Sequence, residues 1–207
     1  MKKIILPAAL TFLLSINCYA EDIQSEAVES LTTAQTFVTD GNYKKAIEEI
    51  NYALAKINEL TATELLKYIP EAPQGYTLNN KQSQGVGAAA SIAGTAGATA
   101  DYSHTDGGNI NLNIAIGGIT GKMASIAAIG SIFAGLSQET GAGQTRQVRV
   151  QGYTGTEMYN SNDQTGTLSF QIGEKTSVTF EGNGIQSAEP LKTLAKSFDF
   201  AGLEKNY

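Results

Sequence analysis

Between Glu21 and Ile69 the apolar positions keep a helical rhythm. Ala27, Leu31, Ala34 and Val38 recur at spacings of four, three and four, which sets them on one face of a helix. Asp40-Gly41-Asn42 interrupts the pattern: Gly41 suits the left-handed conformation that ends a helix, and Asn42 suits the cap of the next. Tyr43, Ala46, Ile47, Ile50, Ala53, Leu54, Ile57 and Leu60 then resume it, with Lys44, Lys45, Glu48, Glu49 and Lys56 outside the stripe. Two stripes joined by a short turn predict an antiparallel helical hairpin over 21–69. Thr61-Ala62-Thr63-Glu64 has the form of a capping box and predicts one further short helix. That helix must end before Pro70, because proline lacks an amide hydrogen and disfavours a helical residue before it.

Pro70 and Pro73, followed by Gly75, mark an extended linker over 70–75, and beyond it the period changes. Thr99 to His104, the turn Asp106-Gly107-Gly108, and the alternation of Ile110, Leu112, Ile114 and Ile116 with Asn111, Asn113 and Ala115 predict a β-hairpin with one apolar face. Val148 and Val150 predict a strand. Leu168, Phe170 and Ile172, the turn Gly173-Glu174-Lys175, then Val178 and Phe180 predict a second hairpin, broken by Gly182-Asn183-Gly184. Ser187 is placed to cap a closing helix with Leu191, Leu194, Ala195 and Phe198 on one face, and Phe200 and Leu203 beyond. The expected fold class is α+β: an N-terminal helical hairpin, then an antiparallel sheet domain over 76–207 with one or two helices packed on one face.

The first twenty residues read as a separate element. Lys2 and Lys3, an apolar run from Ile4 to Ile16 and the small-residue site Cys18-Tyr19-Ala20 have the layout of a secretory signal, with cleavage expected after Ala20. The run is shorter than the roughly 20 residues of a membrane span. Ser15-Ile16-Asn17 lacks the residues of a lipid-attachment motif, so plain cleavage is the reading rather than lipidation of Cys18. The expected compartment is the periplasm, with the extracellular space as the alternative. Removing two lysines and no acid takes the formal charge from −6 to −8, which gives the chain no electrostatic reason to seek nucleic acid. Cys18 is the sole cysteine and leaves with the signal, so neither disulfides nor thiol chemistry are expected afterwards.

Two resemblances follow from short motifs. Gly41-Asn42-Tyr43-Lys44-Lys45-Ala46-Ile47 with Ala53-Leu54 resembles the second helix of a tetratricopeptide repeat, whose arrays bind peptides or partner proteins. The match covers residues 41–54, half of one repeat, whereas a stacked array needs at least roughly three. Ile69-Pro70, Pro73, Gly75-Tyr76, Phe180-Glu181-Gly182 and Phe198-Asp199 resemble the junction and tail of a group of exported bacterial proteins of unknown function. In that group a helical N-terminal region meets an α+β domain at a Pro-x-x-Pro-x-Gly-aromatic junction, so the resemblance implies an architecture and no activity.

Candidate chemistry is sparse. His104, the only histidine, lies in Asp101-Tyr102-Ser103-His104-Thr105-Asp106, where a strand would turn Asp101 and Ser103 to one side and Tyr102 and His104 to the other. A metal needs three or four converging ligands, which this run does not supply by itself. Asp101, Tyr102 and His104 are the only ligand candidates. Gly85-Val86-Gly87 and Gly94-Thr95-Ala96-Gly97 have neither the order nor the lysine of a phosphate-binding loop, and no Gly-x-Ser-x-Gly elbow appears, so no catalytic residue and no cofactor is assigned. Gly117 to Leu136 is uncharged apart from Lys122, and Ile126, Ile129 and Phe133 share a stripe with small residues beside it. The segment reads as a helix against the sheet or as a partner-binding or membrane-active helix. Three functions are open: a non-enzymatic interaction or envelope accessory module, self-associating or with a protein partner, through Tyr43, Ile47 and the 126–133 stripe; a membrane-perturbing factor; and a small-ligand carrier or enzyme with a sheet–helix pocket.

Overall fold

Helix α1 (Thr11–Thr39) turns at Gly41 into α2 (Tyr43–Leu65), and the prolines then hand the chain to a sheet. The computed structural model describes residues 11–85, 96–117 and 144–207. Gly41 takes φ +75°, and the Asn42 side chain accepts from Lys45 N at 3.4 Å. The helix predicted after residues 61–64 does not form separately. Helix α2 runs through to Leu65, and a single 3₁₀ turn, Leu66–Tyr68, closes it. Thr61 and Thr63 donate their hydroxyls back to the carbonyls of Ile57 and Glu59, each at 2.9 Å, as mid-helix threonines do instead of capping.

Seven strands form one antiparallel sheet in the order β1-β2-β3-β7-β6-β5-β4: β1 (Tyr76–Gly85), β2 (Ala96–His104), β3 (Asn109–Ile116), β4 (Gln144–Val150), β5 (Tyr153–Asn160), β6 (Thr165–Ile172) and β7 (Thr176–Asn183). Register aligns the apolar rows: Leu112 lies between Ala100 and Phe180, and Phe180 faces Leu168 on its other side. The opposite face is polar, with Asp101, Asn111, Glu181 and Thr167 in one row. Strands β1 and β5 are additions to the sequence reading, and β7 continues to Asn183 before the break at Gly184.

The apolar face is covered by α3 (Glu189–Ser197) and α4 (Phe200–Asn206). Leu191, Leu194, Ala195, Phe200 and Leu203 are buried there, and Phe170, Phe180, Phe198 and Phe200 stack at centroid separations of 4.7 to 6.3 Å. The closing helix is two helices, because Phe198 is extended and Asp199 caps the second through Gly202 N at 2.9 Å. Ser187 stands one residue before the observed cap, Ala188, but its Oγ accepts from Glu189 N at 3.4 Å. The base of the hairpin joins the same core: Leu65, Tyr68 and Ile69 are buried with it, and the Tyr102 hydroxyl donates to Pro70 O at 2.8 Å.

Candidate functional site

The two helices of the hairpin meet through small residues. Ile23, Ala27, Ser30 and Ala34 of α1 and Ala46 and Ala53 of α2 are buried, while Leu31 and Val38, expected in that contact, are exposed. Tyr43 is 66 % exposed and Ile47 58 %, with Ile50 and Ile57 also in solvent. The helical period was right and the buried face was shifted. Alanine lets the two axes approach closely, and the larger residues turn outward.

Where they turn follows from helix geometry. At 100° per residue, Val28, Leu31 and Val38 centre about 80° from the buried direction of α1, and Tyr43, Ile47, Ile50, Leu54 and Ile57 centre about 70° from that of α2, in the same rotational sense. In antiparallel helices, equal offsets of the same sense fall on one side of the pair. Glu26, Tyr52 and Lys56 sit at the opposite offset and do meet on the other side: Tyr52 OH donates to Glu26 at 2.7 Å, and Lys56 Nζ lies 2.7 Å from the same carboxylate. That hydrogen-bonded contact with Lys56, then Tyr52, holds the Glu26 carboxyl below its usual range. The hairpin therefore has one polar face and one apolar face. Toward its base, Asn58, Ala62 and Leu65 carry α2 onto β1 and β2, so the apolar face continues past the docked region into solvent. Tyr43 and Ile47 both lie on it; Ile126, Ile129 and Phe133, with the helix expected over 117–136, lie outside the described residues.

A second feature is a groove of about 510 Å³ at one end of the sheet, lined by Tyr76, His104, Asp106, Ser187, Glu189 and Thr193 among others. His104 is packed rather than poised. Its Nδ1 accepts from Asp106 N at 3.1 Å, its ring meets Tyr76 edge-on at 4.8 Å, and Nε2 lies against Gly75, where an added Cβ would stand 2.6 Å away. Glu189 is held by Lys192 at 2.6 Å, a hydrogen bond that lowers its pKa. The three ligand candidates are not brought together: Tyr102 is in the core, Asp101 accepts from Asn111 at 2.7 Å on the outer face, and His104 is at the strand end. Among the described residues no group of three or more His, Cys, Asp or Glu could hold a metal, and no helix is long and apolar enough to cross a membrane.

Sequence reasoning missed Glu157. It is 2 % exposed on β5, where its neighbours alternate into the core, and two cations meet it there. Arg146 donates through Nε at 2.7 Å to Oε1, and Lys192 Nζ stands 3.3 Å from Oε2. The cluster ties the β4–β5 edge to α3. No single-sequence signal separates Glu157 from a surface glutamate, because its partners come from 11 and 35 residues away.

No family model, curated protein or solved structure matches the chain.

Proposed function

We propose that this is an exported, periplasmic, non-enzymatic protein-interaction module whose contact surface is the apolar face of the helical hairpin. One observation carries the reading: among the described residues, eight of the nine exposed large hydrophobics lie on α1 and α2, and seven of those eight fall on the same face. Scattered surface hydrophobics are ordinary, but a contiguous patch on a protein that also builds a well-filled core marks a contact site. The sheet domain supplies the rigid base. The layout of residues 1–20 supports export, and an acidic chain with an apolar patch favours protein over nucleic acid as partner.

The test is a photo-crosslinking amino acid at Ile47 or Leu31 in living cells, compared with the same group at Tyr52 on the polar face. A discrete protein adduct from the apolar positions and none from Tyr52 is the expected outcome. Equal labelling from both faces, or no adduct from either, contradicts the reading. The groove beside His104 supports a second reading, a small-ligand carrier, since its volume is in the range of ligand sites. A thermal-shift screen against metabolites separates the two: a midpoint shift abolished by Thr193→Trp favours the carrier, and a flat response removes it.

A further inference from the structure

Backbone contacts fix the walls of the groove at the end of the sheet. Tyr76 N donates to Pro73 O at 2.9 Å and Thr105 N to Gly75 O at 3.4 Å, which ties the linker to the β2–β3 turn. Gly108 of that turn lies so close to Gly184 that an added Cβ would meet its carbonyl oxygen at 2.9 Å, and Ile185 N donates to Gln164 O at 3.0 Å. A recess held from both sides is formed before a ligand enters it. Two rings carry its hydrogen-bonding chemistry. His104 accepts from Asp106 N through Nδ1, which puts the proton of the neutral imidazole on Nε2. Tyr76, edge-on to that ring, brings a hydroxyl. Among the described residues neither Nε2 nor the Tyr76 hydroxyl has a hydrogen-bond partner.

The rest of the lining selects among ligands by charge and polarity. Its described residues include no lysine or arginine but two carboxylates, Asp106 and Glu189, so an anion is repelled. Glu189 is already paired with Lys192, and the Asp106 side chain is 88 % exposed, so no desolvated carboxylate calls for a cation. A wholly apolar ligand would cut the two rings and the amides of Gln74 and Gln186 off from water without replacing its hydrogen bonds. Taking the groove as the binding site of a carrier, we infer that it receives a neutral sugar of one or two rings. The sugar hydroxyls pair with Tyr76, His104 and the flanking amides, and its C–H face packs against Pro73, Pro190 and Ile185. The volume of about 510 Å³ falls in the lower half of the roughly 300–1,000 Å³ range of ligand sites, which suits one or two rings rather than a longer chain. Nothing in this assignment depends on the hairpin's apolar face.

The chain's only histidine supplies the readout, because its ring gives a single Hε1 proton resonance. The probes are glucose, galactose, N-acetylglucosamine, maltose and lactose, titrated into the full chain. At least one is expected to move that resonance saturably, with a Kd on the order of 1 mM. Tyr76→Phe, with an unchanged circular dichroism spectrum, should weaken the same sugar about five- to ten-fold, and Thr193→Trp should abolish its binding. Glucose 6-phosphate should bind at least about ten-fold more weakly than glucose. No movement with any neutral sugar up to about 50 mM overturns the inference. So does a sugar whose binding is untouched by both Tyr76→Phe and Thr193→Trp, since it then sits elsewhere. The carrier reading fails separately: a charged or apolar metabolite that binds where the neutral sugars do not, and is lost in Thr193→Trp, removes the sugar and keeps the carrier. A flat response to the whole metabolite screen removes both.

Discussion

The sheet domain and the hairpin solve the burial problem in opposite ways. The sheet places Tyr102, Leu112 and Phe180 inside and Asp101, Asn111 and Glu181 outside, the arrangement of an element complete in itself. The hairpin places Ala27, Ala46 and Ala53 inside and Val28, Ile47 and Ile50 outside. Large side chains fill the space between a sheet and its helices, roughly 10 Å thick, whereas alanines suit two helices in direct contact. What remains on the hairpin is apolar surface that stands exposed among the described residues. On the proposed reading, stability and contact are divided between the two regions, so substitutions should divide in the same way.

The sharpest break is in the sheet. Phe180→Ala removes a fully buried ring touching Phe170 and Phe198 and should cost about 3–5 kcal/mol, read from the urea midpoint at low protein concentration. Glu157→Ala removes the buried carboxylate that Arg146 and Lys192 share, while Arg146 stays in solvent and Lys192 keeps Glu189, and should cost about 2 kcal/mol in the same titration. On the hairpin the inner face is the sensitive one: Ala53→Leu forces the helices apart and should cost about 1–3 kcal/mol, seen as earlier loss of the helical signal.

Tyr102→Phe probes the seam between the regions. It removes the hydrogen bond to Pro70 O and should cost about 1 kcal/mol at neutral pH. Burial, then the Glu71 charge, raises the Tyr102 pKa well above its ordinary value of 10.0. A raised folded-state pKa means this stability is fully present below pH 10 and is lost as pH climbs from there toward the folded value. Unfolding midpoints measured above pH 10 should therefore fall less steeply in Tyr102→Phe. The smallest effect is expected on the outer face of the hairpin, where Ile47→Glu should shift the midpoint of dilute protein by less than about 0.5 kcal/mol. A large loss there would mean the outer residues support the monomer's own fold, and the contrast would fail.

The same contrast explains what the sequence could say. Ile110 to Ile116 and Leu168 to Phe180 were legible because one face of each strand is packed and the other wet, which writes strict alternation into the chain. Strand β1 was not, since it is an edge strand with Leu78 as its one aliphatic residue among polar neighbours. Strand β5 was hidden because its inward positions are Gly155 and Glu157, a close approach to the Phe170 ring and a buried ion cluster. The hairpin's existence was plain and its orientation was not: a stripe of isoleucine and leucine looks like a core whether the partner surface is in the same chain or elsewhere. His104 drew notice as the sole imidazole, but Gly75 and Tyr76, which occupy its surroundings, reach it only through the β1–β2 pairing.

The most direct measurement is hydroxyl-radical labelling of side chains in intact cells, compared with the purified protein at high dilution. Protection of Val28, Leu31, Ile47 and Ile50 in the cell, with Tyr52 labelled equally in both, is the predicted result. Labelling of the apolar face as free in the cell as in dilute solution would contradict the account.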